Sequence, residues 1–393
     1  MVVLHSAVSR FYFDHNATTP MSPEVFDAWA HAGRELYGNA SSIHHAGQDA
    51  RRELEYARVK VARLLGANAK EIVFCSGGTE ADNTALFGIL RSRERPHLIT
   101  TMIEHPAVLQ AAAQLEREGC EVTVLPVGSD GVVDPDDVRR ALQPNTVLIS
   151  VMHVNNEIGT VQPLAEIGKI TRSQGILLHS DGVQAAGRIP VDVAALGVDL
   201  YSLSGHKMYA PKGVGVLYVR KGVRLDSLLF GGRHENGRRP GTENVPAAVA
   251  LGAAADTALA GMHEEMTRLT AMRDHLEDRV REMIPSVRVN CCHSFRAPNT
   301  SSLSIDGIEG EAVIIALDLK GFCVSSGAAC SSGSVEPSHV LTSIGLSRRD
   351  AKSCIRISLG KSNTPDQVDA LVGALAGVSE RLRKLSPDYV THG

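Results

Sequence analysis

The run Ser202-Leu203-Ser204-Gly205-His206-Lys207 places a lysine just after an apolar, strand-like stretch, Val198 to Leu203, and before the glycine-rich segment Pro211-Lys212-Gly213-Val214-Gly215. A lysine held at a strand end with a lowered pKa forms a Schiff base with a carbonyl group. Ser204 and His206 beside it supply the hydroxyl and imidazole donors that take a phosphate. Together these requirements point to pyridoxal phosphate.

Other positions carry complementary chemistry. Ser76-Gly77-Gly78-Thr79, followed by Glu80-Ala81-Asp82-Asn83, is a glycine turn opening a helix. Its exposed backbone N–H groups and the helix dipole make an anion cradle, to which Thr79 adds a hydroxyl; the plainer reading is an ordinary capped helix start. Asp181 ends an apolar strand in Ser180-Asp181-Gly182. A buried carboxylate needs a cationic partner, and a protonated pyridine nitrogen would provide one and keep the ring an electron sink; a helix cap is the competing reading. Gln184 is spaced to donate to the cofactor's phenolic oxygen. His105, before Pro106, sits in a turn where an imidazole can stack on a ring and move protons near neutral pH, against the ordinary case of a solvated loop histidine. Asn156, in the turn Asn155-Asn156-Glu157-Ile158-Gly159, can bond a cofactor ring or a substrate carboxylate, although such turns are also common for conformational reasons.

Cys330 lies amid small residues, Ser325-Ser326-Gly327-Ala328-Ala329-Cys330-Ser331-Ser332-Gly333, unlike a packed core cysteine. Small neighbours suit a thiol that enters a site and swings away; an incidental cysteine in a surface loop is the alternative. Arg356 stands alone among apolar neighbours in the alternating run Ser353 to Ser358, placed to clamp an amino-acid carboxylate with two parallel hydrogen bonds or to form a structural ion pair. The basic turn Gly231 to Asn244, with Thr242 in it, offers anion donors that can reach a neighbouring subunit's site.

The elements needed to position these groups are visible. Five β-branched or apolar runs, Glu71 to Phe74, His97 to Thr100, Val147 to Val151, Ile176 to His179 and Val198 to Leu203, alternate with helical patterns. That alternation predicts a mostly parallel sheet flanked by helices, with ligands beyond the carboxyl ends of its strands. A charged helical stretch from Met262 to Met283 leads to shorter strand-like runs. The expected division is a large cofactor-binding domain over 15–261 and a smaller α+β domain of 1–14 and 262–393 carrying the Cys330 loop.

The 393 residues are 43% hydrophobic and 21% charged, and 40 basic against 44 acidic side chains leave a formal charge of −4. That balance gives no reason to expect nucleic acid or an anionic membrane as partner and favours a small-molecule substrate. Seven scattered cysteines without a Cys-x-x-Cys pair indicate neither a disulfide framework nor a zinc ribbon. No leader pattern or apolar stretch of spanning length is expected, and the chain reads as cytoplasmic.

Taken together, these residues resemble the cysteine desulfurases of the NifS/IscS type, within the class-V aminotransferase family of pyridoxal-phosphate fold type I. The resemblance spans Asp14 to Pro20, Ser76 to Asn83, Glu104-His105, His153 to Gly159, Asp181 to Gln184, Ser204 to Gly213, Arg239 to Thr242, Ser325 to Ser332 and Arg356 to Gly360. It implies that Lys207 carries the cofactor as an imine, Asp181 pairs its ring nitrogen, His105 stacks and transfers protons, and Gln184 and Asn156 contact the ring. It further implies phosphate contacts from Gly78, Thr79, Ser204 and His206, with Thr242 supplied by the partner of a homodimer. Arg356 and Asn156 would bind L-cysteine, whose sulfur passes to Cys330 as a persulfide, leaving alanine. A sulfur-acceptor or iron–sulfur scaffold protein is implied as partner, and Cys330 is the one metal-ligand candidate, for a transient cluster. The acceptor pathway stays open between general cluster assembly, nitrogenase maturation and tRNA thiolation, although Arg238 to Val245 leans toward the nitrogen-fixation branch. Another pyridoxal enzyme, such as a selenocysteine lyase or aminotransferase, would keep Lys207 and Asp181 without requiring Cys330, and a non-enzymatic sulfur carrier would need clustered thiols.

Overall fold

The computed structural model describes residues 10–326 and 336–385. Its strands in chain order are β1 (Phe11–Tyr12), β2 (Ile72–Cys75), β3 (His97–Thr101), β4 (Glu121–Leu125), β5 (Thr146–Ser150), β6 (Leu177–Asp181), β7 (Leu200–Ser204), β8 (Gly215–Val219), β9 (Val287–Val289), β10 (Thr300–Ile305), β11 (Phe322–Cys323) and β12 (Cys354–Ser358). Seven of them form the main sheet, in the order β2-β8-β7-β6-β5-β3-β4. The pairs β7–β6, β6–β5, β5–β3 and β3–β4 are parallel, whereas β8 runs antiparallel to both β7 and β2. Because two antiparallel pairings restore direction, β2 points the same way as β7. The carboxyl ends of β2, β3, β5, β6 and β7 therefore share one edge.

Most of this sheet is buried on both faces, which suits strands rich in Val, Leu and Ile. Helices Gly78–Leu90, Pro106–Arg117 and Leu164–Gln174 follow β2, β3 and β5 respectively and cover it. Gly215, opening β8, is required by close approach: a Cβ there would lie 2.6 Å from the Gly77 Cα. Its absence lets the glycine turn after β2 settle against the end of β7.

A 39-residue helix, Val245–Met283, links two apolar cores. Its first half, rich in alanine, packs against helices His45–Leu65 and Pro23–Glu35, close enough that a Cβ on Gly252 would meet the Ala57 Cα at 2.8 Å. Its second half joins a cluster with Phe13, Leu303, Ile355 and Val368. By length and composition this helix passes as membrane-spanning, which corrects the expectation that no such stretch exists; half of the apolar window is buried inside the protein, and it serves as a core helix.

Around the second cluster, β12-β10-β9 form an antiparallel sheet, and β1 pairs with β11 in parallel. Isolated bridges join Asp14 to Ser358 and Ser325 to Arg356. These contacts bring the N-terminal turn, the start of the Cys330 segment and Arg356 together at the shared edge of the main sheet.

Candidate active site

One cavity of about 510 Å³ opens at that edge and is lined by Gly78, Thr79, His105, Asn156, Asp181, Gln184, Ser204, His206, Lys207 and Arg356. Thr242 is elsewhere, lining a separate cavity of about 200 Å³ with Ser76 and Arg239. Cys330 lies outside the described residues; beyond it, Glu336, Pro337, Ser338 and His339 line the same cavity as Lys207.

Lys207 ends a single 3-10 turn, Gly205–Lys207, directly after β7. Its Nζ donates to the carbonyls of Asn16 (2.5 Å) and Ala17 (2.7 Å), in the N-terminal turn. Thr19 pins that turn by donating both its amide and its hydroxyl to the His206 carbonyl. Gln184 Nε2 donates to the Asn16 carbonyl at 2.9 Å, and Arg188 donates to Gln184 Oε1 and, at 2.7 Å, to Asn16 Oδ1.

Asp181 is the last residue of β6 and is buried. Its Oδ1 accepts from the Val183 amide at 2.9 Å, so a turn bond accompanies its place in the cavity wall. Burial raises its pKa above the usual carboxylate range, opposed by the nearby His105 and Lys207. Asp82, which also lines the cavity, is buried with an Oδ1 that accepts no hydrogen bond and lies 3.6 Å from His179 Nε2. Burial holds His179 neutral, at about 3, and pushes Asp82 upward, with Asp181 adding like-charge repulsion. Glu104 is raised to about 8 by burial, although the Met152 amide and Thr101 hydroxyl both donate to its Oε1.

His105 caps the helix Pro106–Arg117 with its Nδ1, which accepts from the Ala107 amide at 3.1 Å. An accepting Nδ1 puts the ring proton on Nε2. Arg356, on β12, is buried; Nη1 donates to the Asn156 carbonyl (2.9 Å) and Nη2 to Asp14 (2.7 Å), while Nε has no partner. Of its two expected readings, the structural ion pair is present, with Asp14. Asn156 contributes that carbonyl and a place in the wall. Glu157 beside it is buried, accepts from the Ser338 hydroxyl at 2.5 Å, and is raised chiefly by burial.

These residues fit pyridoxal phosphate. Gly78 and Thr79 begin a 13-residue helix whose amide end faces the cavity beside Ser204 and His206, and a Cβ on Gly78 would strike Val183 at 2.8 Å. Backbone donors and hydroxyls so placed are what a phosphate cradle requires. His206 is drawn down to about 4, mainly by burial, so at neutral pH it acts as an uncharged donor; its Nδ1 lies 3.0 Å from the Thr18 hydroxyl. Asp181 is a buried acid in the cavity wall, the group that a pyridinium nitrogen requires as partner.

Sequence reading did not single out Asp82, Glu157, Arg188, Ser338 or His339 for a role. Asp82 and Glu157 sit inside motifs quoted for their neighbours, one in the first turns of a helix and the other in a polar turn, where an acid gives no local signal of burial. Arg188, four residues from Gln184, offered only that spacing.

The class-V aminotransferase family model matches residues 11–371. A protein named cysteine desulfurase IscS from Dictyoglomus turgidum is 46% identical over 378 residues, 96% of each chain. A cysteine desulfurase from Nostoc sp. is 45% identical over 381 residues, 97% of this chain and 95% of that one. Among solved structures, a NifS-like protein superposes with a TM-score of 0.89 at 36% identity, covering 95% of this chain and all of that one, 100%. A structure titled SspA in complex with cysteine superposes at 0.80 with 35% identity, over 88% of this chain and 98% of that one. Fold and cavity thus define a pyridoxal-phosphate enzyme of fold type I. The chain belongs to the class-V aminotransferase family, in its cysteine desulfurase branch of the NifS/IscS type.

Proposed function

We infer that this enzyme is a cysteine desulfurase: L-cysteine and the Cys330 thiol give L-alanine and a Cys330 persulfide. The carrying observation is the convergence of Lys207, Asp181 and Arg356 on one cavity. Bound pyridoxal phosphate supplies an aldehyde for amine condensation and a ring that accepts the electron pair released at the substrate's Cα. Lys207 would hold the cofactor, and its amine would move the substrate's Cα proton. Asp181 pairs the ring nitrogen, His105 stacks and exchanges protons through Nε2, and Gln184 and Asn156 contact the ring. Gly78, Thr79, Ser204 and His206 hold the phosphate, and Arg356 orients the substrate carboxylate. The Cys330 thiolate attacks the substrate sulfur; the C–S bond breaks and its electron pair stays with the carbon fragment, which gains a proton and leaves as alanine.

The position of Thr242, in a cavity apart from Lys207, supports a homodimer in which each chain lends it to the other. We propose further a cytoplasmic setting, an acceptor or iron–sulfur scaffold protein that takes the sulfur, and the domain division 15–261 against 1–14 with 262–393, whose boundary falls inside the helix Val245–Met283. Replacing Cys330 tests the reaction. Cys330→Ala should keep the cofactor's visible absorption and lose sulfide release from L-cysteine by at least a hundredfold; retained turnover would favour another pyridoxal chemistry.

A further inference from the structure

Arg188 is a cation without an anion. Its guanidinium donates to Gln184 Oε1, to Asn16 Oδ1 (2.7 Å), to the His15 carbonyl (2.8 Å) and, at 3.5 Å, to the Lys207 carbonyl, and no carboxylate pairs with it among the described residues. Burial draws its pKa down to about 10, and it helps hold His206 and His15 neutral. A charge kept in such surroundings without a counter-ion is costly unless its hydrogen bonds do something a neutral residue cannot.

The geometry shows what that is. A guanidinium has donors and no acceptor, so the Gln184 atom facing it must be the amide oxygen. Nε2 then gives one hydrogen to the Asn16 carbonyl at 2.9 Å and keeps its second, in a side chain that lines the cavity. The Asn16 carbonyl also accepts from Lys207 Nζ at 2.5 Å. One guanidinium therefore fixes the direction of the Gln184 amide and the turn against which Lys207 rests. A flipped amide would set its NH₂ against Arg188 and turn an acceptor to the cavity.

We propose that Arg188 is a positioning residue for the cofactor ring, locking the Gln184 amide so that an N–H meets an anionic ring oxygen, while holding Asn16 against Lys207. This rests on the reading of Lys207 as the cofactor's anchor. Arg188 does not line the cavity, so it acts through Gln184 and Asn16 and not by contact.

The test uses the holoenzyme and the variants R188K and R188M, each with and without Q184M. Release of cofactor into cofactor-free buffer and the pH midpoint of its visible absorption are measured, with circular dichroism as the check of folding. R188K, which keeps the charge but not the fork, should release cofactor at least tenfold faster with its midpoint little moved. R188M should show the same loss and a midpoint shifted upward, because removing a nearby positive charge eases protonation of the imine. In the Q184M background the Arg188 substitutions should change release less than threefold. Unchanged release in folded R188K, or an equal tenfold acceleration without the Gln184 amide, overturns the proposal. If R188M does not fold, R188K and its Q184M double variant decide. Borohydride trapping of the native protein with peptide mapping separates the two claims: label away from Lys207 removes the underlying reading, whereas label on Lys207 with unchanged R188K release removes the Arg188 role alone.

Discussion

Arg356 holds a structural ion pair in the cavity wall, and in the proposed function it also takes the substrate carboxylate. Two of its nitrogens are committed to Asp14 and to the Asn156 carbonyl, which fixes the guanidinium plane in the cavity wall, and its buried Nε–H has no protein partner. Lysine at this position keeps the charge but cannot hold both contacts and still present a donor. Arg356→Lys should therefore raise KM for L-cysteine about tenfold to a hundredfold, the loss of one or two charge-assisted hydrogen bonds, with the cofactor's visible spectrum unchanged. Steady-state kinetics at fixed pH check this, and an unaltered KM would remove Arg356 from substrate binding. Arg356 and Asp181 stood out in the chain because the first is a single charge in an apolar alternation and the second closes an apolar strand. Asp82, Glu104 and Glu157 were not, since nothing local distinguishes a solvated acid in a helix or turn from a buried one. What buries Glu104 and Glu157 is, in part, the stretch from Ser338 to Leu341, which packs beside them from 235 residues beyond Glu104 at His339 and 181 beyond Glu157 at Ser338.

The strand edge is the element that makes the site, and its logic was readable where β-branched runs were long enough to announce strands. β4 escaped because it is a sheet edge, partly exposed and beginning with Glu121, so its pattern is weakly apolar. β8 escaped because it follows the glycine-rich segment directly and returns antiparallel, a reversal that no local pattern specifies. The apolar half of the helix Val245–Met283 was likewise hidden by its alanines, which register as small before they register as buried. Geometry at the end of β6 carries a prediction at this scale. Gly182 follows Asp181 directly, and a Cβ there would sit 1.9 Å from the Tyr201 ring, whose hydroxyl is held by His153 at 2.9 Å. Neither ring has room to retreat, since both are buried. Gly182→Ala should cost about 2–4 kcal/mol of stability, at or beyond the upper end for overpacking, and should displace Asp181 and weaken cofactor retention. Denaturant unfolding with a parallel cofactor-release assay measures both; a native-like midpoint would mean that Tyr201 yields more readily than its packing indicates.

At the scale of the whole molecule, buried ionisable groups have displaced titrations that bear on folding. His15 and His153 are held down to about 4 and His179 to about 3, mainly by burial, against an ordinary value of 6.5. Their unfolded forms take up protons below that value while the folded forms do not, so each opposes stability as pH falls through the window from 6.5 to about 4. Buried carboxyls act in the other direction. Glu104 keeps its proton to about 8 in the folded protein but loses it near 4.5 when unfolded, so the stability it contributes is complete below 4.5 and is lost as pH rises toward 8. Asp82, displaced upward for the same reason, adds to that loss. Above pH 6.5 these histidines no longer differ between the two states, and the slope there belongs to the carboxyls. Glu104→Gln is the discriminating change, because a glutamine oxygen can still accept from the Met152 amide and the Thr101 hydroxyl. Relative to the native protein, E104Q should gain about 1–2 kcal/mol between pH 6.5 and 8, at ~1.4 kcal/mol per pH unit for one proton, and its melting temperature should fall less over that interval. Thermal unfolding in matched buffers reads the difference directly, and parallel curves for the two proteins would show that Glu104 is ionised in the folded state despite its burial.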